Sequence, residues 1–163
     1  AHYVVVKRIS HLNRNGKATM VDVSPKITQF RQAVAAGEIR CSPHTLKLLR
    51  QGKTPKGDVL TTARIAGIQA AKQTSRLIPL CHPLALEAVS VDLLPGSHAI
   101  RISSEVRIHA RTGVEMEALT AVSVAALTLY DMLKSVDRTM VIQKIRLKGM
   151  ELTLCVVAPD SSG

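Results

Sequence analysis

Polar residues able to do chemistry gather at four places in the 163-residue chain: Lys56 with Asp58, Cys81 with His82, Glu115 with Glu117, and Asp131 with Lys134. Lys56 stands just ahead of a predicted helix start. Helix N-termini attract anions, so a lysine there could help bind phosphate. On spacing alone, a solvated loop lysine is the better reading. Cys81 and His82 sit in an otherwise apolar Leu-Ile-Pro-Leu-Cys-His-Pro-Leu run. Neighbours in an extended segment point opposite ways, which counts against both ligating one metal. A nucleophilic Cys–His pair is brought together by the fold rather than by adjacency. His82 reads equally as a hydrogen-bonding group for a substrate and as a core histidine satisfied by backbone. Glu115 fits a capping box opened by Thr112. Glu117, two residues on, faces elsewhere on the helix. It precedes an apolar stretch, where an acid needs burial or a specific donor. Asp131 and Lys134, three apart, are neighbours on a helix surface. They read as a surface ion pair or as a proton-transfer pair, with Lys134 tuned by burial and by Asp131.

Composition narrows the partners. Lys plus Arg is 22 and Asp plus Glu is 12, a formal net charge of +10. That surplus favours an anionic partner. Only Tyr3, Phe30 and Tyr130 are aromatic, which counts against single-strand nucleic-acid binding by base stacking. Cys41, Cys81 and Cys155 are an odd, widely spaced set, with neither a disulfide framework nor a zinc motif. Free thiols in a reducing, cytoplasmic setting are expected. The longest uncharged helical stretch, Ala118 to Tyr130, is 13 residues, too short to span a bilayer. No secretory or membrane segment is expected. One domain over 1–163 is expected, flexible near 1–9 and 158–163.

The elements that must position these residues follow from periodicity. Asn13 to Lys17 reads as a turn. Ile27 to Cys41 is ambiguous between helix and strand. Ser42-Pro43 opens a short helix that Gly52 ends. Asp58 caps a longer helix in which Val59, Ala63, Ala66 and Ala70 recur at near-helical spacing, continuing through Leu77 until Pro79 stops it. Pro83 keeps Cys81-His82 extended. Ala66, Gly67, Ala70 and Ala71 leave room for another backbone. Leu84 to Leu93 and Ile100 to Ile108 form a hairpin about Pro95-Gly96-Ser97, with a bulge at Ser103-Ser104. Thr112 opens the longest helix, to about Val136. Its middle is apolar on most faces, so a subunit interface is expected beside the sheet. A strand from Met140 to Leu147 follows, and another from Leu152 to Val157. The order implies an α+β fold, a ferredoxin-like antiparallel sheet with helices packed on one face.

Three stretches carry a more specific signal. They are Met20-Val21-Asp22-Val23-Ser24, then Lys56-Gly57-Asp58-Val59 through Ala63–Lys72 to Leu77–Leu84, and Thr112–Thr120 through Leu129-Tyr130-Asp131-Met132. In this order they resemble the MoaC family, the cyclic pyranopterin monophosphate synthases of molybdenum cofactor biosynthesis, over about His11 to Leu147. The resemblance tips part of Ile27 to Cys41 towards strand. It implies conversion of a cyclised dihydro-GTP, supplied by a radical SAM GTP cyclase, into cyclic pyranopterin monophosphate with loss of pyrophosphate. It implies no cofactor and no metal, and a homohexamer built as a trimer of dimers with sites at subunit interfaces. By matching position, Lys56 and Lys134 resemble the catalytic lysines and Asp131 the active-site aspartate. Leu80, Cys81, His82, Met116 and Glu117 resemble substrate-binding segments, and Glu115 a further site carboxylate. Lys26, Arg31 and Lys72 are candidates for phosphate contacts. Lys56 and Lys134 are then expected in acid–base work, Asp131 orienting Lys134, with His82 and Glu117 holding the base.

Two departures stand out. Leu133 replaces a common cysteine, and Lys148 to Cys155 stands where a Gly-Gly-containing end is usual. The alternatives are a non-catalytic anion- or RNA-binding ferredoxin-like module, supported by the charge, and an inactive subunit, supported by the altered end.

Overall fold

Most of the ambiguous stretch from Ile27 to Cys41 is a strand. In the computed structural model, which describes residues 11–153, β1 runs Gln29–Arg40. Ala33, Ala35, Gly37 and Ile39 point inward and are buried, while the residues between them lie on the opposite face. A small-residue strand reads equally as helix by periodicity; its pairing partners decide. β1 is followed by α1 (Pro43–Arg50), α2 (Val59–Lys72), the short α3 (Thr74–Leu77), β2 (Ala88–Pro95), β3 (Ala99–Ala110), α4 (Glu115–Leu133) and β4 (Val141–Thr153). The sheet order is β2-β3-β1-β4, every pair antiparallel. This is the ferredoxin-like arrangement, with α2 and α4 on one face.

Helix ends follow local chemistry. The Ser42 hydroxyl accepts from Thr45 N at the start of α1, with Pro43 in its first turn. Gly52 just beyond α1 takes φ +65°, a conformation glycine supplies freely. Asp58 caps α2 by accepting from Thr61 N at 3.1 Å.

Several local expectations need correction. The helix expected to continue to Leu77 breaks after Lys72 into α2 and α3. Thr74 Oγ1 turns back to donate to Ala70 O and Ala71 O at 3.0 Å, satisfying the last carbonyls of α2. The expected bulge at Ser103-Ser104 is absent, and β3 pairs in unbroken register with β1 and β2. Ser104 simply takes the inward position between Ile102 and Val106, because its buried hydroxyl donates to Ala118 O at 2.7 Å. The bulges lie in β4 instead, where register against β1 shifts twice and Lys144 adopts φ 58°. The two expected C-terminal strands are one, since Leu152 and Thr153 continue β4; the remainder of the second, and both chain ends, lie outside the described residues.

The core lies between the sheet and α4, with α2 crossing α4. Ala118, Ala121, Val122, Ala125 and Leu129 of α4 are fully buried. The small residues of α2 serve the close approach expected of them. A Cβ at Gly67 would stand 2.9 Å from Ala121 O and 3.3 Å from Ala125 Cβ. Helix α2 thus covers much of the apolar surface of α4 within the chain; Leu127 remains exposed. By length and composition α4 is the one helix among the described residues apolar enough to cross a membrane. Its apolarity is that of the helix at the centre of the core. Leu133, one of the two departures, is also fully buried and packs into that core.

Candidate active site

The two ends of α4 each carry a polar cluster. At its N-terminal end a cavity of about 300 Å³ is lined by Leu80, Cys81 and His82 on one side and by Glu115, Met116 and Glu117 on another. The segment before β1 supplies His11, Val21, Val23 and Lys26. Cys81 and His82 both line this cavity, directly after a turn in which Cys81 N donates to Ile78 O at 3.1 Å. His82 Nε2 lies 2.6 Å from Val21 O; a carbonyl only accepts, so the imidazole donates.

Glu115 and Glu117 also converge on this cavity, contrary to the expectation that they face apart. The capping box expected from Thr112 does not form. Val114 is the N-cap and makes no side-chain bond. The Glu115 carboxylate instead folds back over Gly113, into the space a Cβ there would occupy. Glu117 enters the wall and is only 5% exposed. Burial raises its carboxyl to a pKa of about 7; its own backbone hydrogen bond opposes the rise and the nearby Glu115 adds to it. Burial, then the neighbouring Glu117, raises the Cys81 thiol, so that sulfur is not an activated thiolate. The cavity thus offers a carboxyl that exchanges its proton near neutral pH beside Lys26 and two imidazoles.

At the other end of α4, Lys134 Nζ stands 2.9 Å from Asp131 Oδ1. Lys56 Nζ lies 3.7 Å from Asp131 Oδ2 and donates to Asp131 O at 3.2 Å. The resemblance named these three residues together, whereas spacing alone could not join Lys56 to the other two. All three are exposed. The hydrogen bond from Lys134, then the charges of Lys134 and Lys56, lower the Asp131 carboxyl. Asp131 in turn raises Lys134, through its hydrogen bond first and its charge second. Of the two influences expected to tune Lys134, burial and Asp131, only Asp131 acts strongly, because the lysine is exposed. It is held as an ammonium. Two ammonium groups on one carboxylate make a site for phosphate oxygens. The α2 N-terminus itself is filled by Asp58, so Lys56 serves Asp131 rather than that helix end.

The turn after Lys134 is pinned by Asp137, which the sequence reading passed over. Asp137 is buried and accepts from Ser42 N at 2.8 Å, Thr45 Oγ1 at 2.9 Å, Thr139 N at 2.9 Å and Thr139 Oγ1 at 2.7 Å. Burial alone would raise its carboxyl, but these donors hold it well below the usual range. It ties the α4–β4 turn to the start of α1.

Two candidates fall outside both clusters. Arg31 lies on β1, its guanidinium donating to Gln29 Oε1 at 3.3 Å and Arg111 O at 3.4 Å, with Nε buried and unpartnered. Lys72, ending α2, lines neither cluster. Val21, Val23, Thr112 and Gly113 line the cavity unforeseen, although the first two belong to a stretch that carried the resemblance. A larger groove of about 840 Å³ on the uncovered sheet face holds none of the candidates. Its Glu38 is already engaged by Lys144 at 3.0 Å and Gln143 at 2.9 Å. Among the described residues, no three His, Cys, Asp or Glu side chains converge to hold a metal ion.

Fold and clusters together define a ferredoxin-like α+β protein with an acid-lined cavity at one end of its central helix and a Lys–Asp–Lys cluster at the other. A family model described as the MoaC family matches residues 20–151. The cyclic pyranopterin monophosphate synthase of Nostoc sp. is 57% identical over 141 residues, 85% of this chain and 84% of that protein. Those of Trichodesmium erythraeum and Herpetosiphon aurantiacus are 53% and 57% identical, over 86% and 84% of this chain and 86% and 85% of their own lengths. The chain belongs to the MoaC family.

Proposed function

We propose that this chain is a lyase of molybdenum cofactor biosynthesis that converts a cyclised dihydro-GTP to cyclic pyranopterin monophosphate with release of pyrophosphate. The observation that carries the reading is the extended likeness to proteins named for this activity, and the polar cluster at each end of α4 supports it. In this reading Lys56 and Lys134 bind and neutralise phosphate oxygens, and Lys134, held protonated by Asp131, donates a proton to a leaving oxygen. Glu117 exchanges protons with the ring system, and Lys26 supplies positive charge at the cavity. The substrate comes from a radical SAM GTP cyclase acting in the same cytoplasmic compartment.

The two clusters do not share a substrate within one copy. From Glu115 to Asp131 the helix rises roughly 24 Å at about 1.5 Å per residue, farther than a nucleotide reaches. The working site is therefore built from the cavity of one copy and the Lys–Asp–Lys cluster of another, in a homo-oligomer such as a trimer of dimers. Turnover of the cyclised dihydro-GTP, scored by pyrophosphate and by the oxidised pterin product, tests the activity. Lys56→Ala and Lys134→Ala are each expected to abolish it. Mixing Lys134→Ala with Glu117→Gln, each inactive alone, tests the shared site. Random pairing in two-fold dimers restores about a quarter of parental activity. Failure to restore any activity in mixed oligomers refutes the shared site.

A further inference from the structure

We infer that His82 is a positioning residue that latches the segment 11–28 across the cavity and thereby keeps Lys26 in its wall. The segment has no helix or strand beyond the single bridge Leu12–Ala18. Its hydrogen bonds are otherwise internal: Asn13 N to Lys17 O at 2.8 Å, Thr19 N to His11 O at 2.9 Å, Ser24 N to Asp22 Oδ1 at 2.9 Å and Lys26 N to Val23 O at 3.0 Å. Among the described residues, one hydrogen bond ties it to the rest of the chain, from His82 Nε2 to Val21 O at 2.6 Å. The stretch around that carbonyl alternates, with Val21 and Val23 half-buried and Asp22 and Ser24 exposed. Two valines and one histidine bond therefore seat the segment.

The chemistry of the imidazole follows. Nε2 is committed to the carbonyl, so only Nδ1 remains for a ligand while the latch is closed. Holding the substrate base, the role expected of His82, is secondary to holding the wall that carries Lys26. A ligand that needs the Nε2 proton must displace Val21 O and release the segment.

The test compares His82→Leu, which removes the donor, with His82→Gln, which keeps one. Amide hydrogen exchange over residues 19–26 reads the segment directly. Exchange there is expected to rise up to about 10-fold in His82→Leu, the scale of losing one hydrogen bond, and to return towards the parent in His82→Gln. The latch also acts on the proposed reaction. KM is expected to rise by a similar factor with kcat within about two-fold, again rescued by Gln. The effects of His82→Leu and Lys26→Ala on KM should then be sub-additive. Unchanged exchange in His82→Leu, with kcat alone reduced, overturns the latch and returns His82 to direct contact with substrate. Should His82→Leu fail to fold, ¹⁵N-imidazole spectra of the parent decide. A slowly exchanging Nε2 proton supports the bond and a rapidly exchanging one overturns it. Exchange and spectra need no turnover, so an inactive parent would sink the proposed reaction and leave the latch standing or falling by itself.

Discussion

Replacing Glu117 by Gln should make the protein more stable in a way that depends on pH. The carboxyl, 5% exposed in the cavity wall, is raised from 4.5 to about 7 by burial. Below pH 4.5 it is protonated in both the folded and unfolded chain and costs nothing through linkage. Between pH 4.5 and 7 the unfolded chain gives up its proton while the folded chain keeps it, so stability falls as pH rises. Above pH 7 both are ionised and the penalty is complete. At 1.36 kcal/mol per unit it amounts to about 3 kcal/mol. Gln has nearly the shape of the protonated acid and never ionises. Urea unfolding at fixed protein concentration should therefore give parent and variant stabilities within about 1 kcal/mol of each other at pH 5, and a variant advantage of roughly 3 kcal/mol at pH 8. Other titrating groups cancel in the difference. A gap independent of pH between 5 and 8, or a variant weaker at pH 8, would falsify the assignment of Glu117 as a buried acid. Activity should move the other way, since the amide exchanges no proton.

Three further outcomes follow from the packing and the ion pairs. Gly67→Ala forces a methyl to within 2.9 Å of Ala121 O, and overpacking of that kind should cost about 1–3 kcal/mol in chemical unfolding. Asp137→Ala leaves the donors of Ser42, Thr45 and Thr139 without their acceptor and should cost at least about 1–3 kcal/mol at neutral pH. The cost should shrink in acid, because a lowered carboxyl contributes above its ordinary value and loses that contribution as pH falls through its folded value; a constant cost down to the acid limit of folding would contradict this. Asp131→Asn should let the Lys134 ammonium lose its proton at lower pH than in the parent, read by NMR of the lysine side chains, because the hydrogen bond and charge that raise it are gone.

The sequence carried the fold where periodicity and caps agreed. Ser42-Pro43, Asp58 and the small residues of α2 each did locally what their chemistry dictates. It misled where a single polar residue interrupts a pattern. Ser104 resembles a bulge until Ala118 O is seen above it, and Glu115 resembles a capping acid until Gly113 is seen beneath it. The Asp131–Lys134 pair is visible from spacing. Its union with Lys56 joins positions 75 residues apart, and only the resemblance suggested it. The wall formed by Val21, Val23 and Lys26 was the least legible part. Its placement depends on backbone direction and one carbonyl, neither of which a residue type announces. Asp137 was missed for the opposite reason: an aspartate after a helix reads as a solvated turn, and its burial is created by α1.

Both polar clusters hang on α4, an unbroken helix from Glu115 to Leu133. Adding or removing one residue in its middle would turn one end by about 100° and shift it about 1.5 Å relative to the other. Glu117 would leave the cavity wall, or Asp131 would leave Lys56, and Ala121 would no longer lie over Gly67. Length change is thus excluded from α4, which admits substitution only.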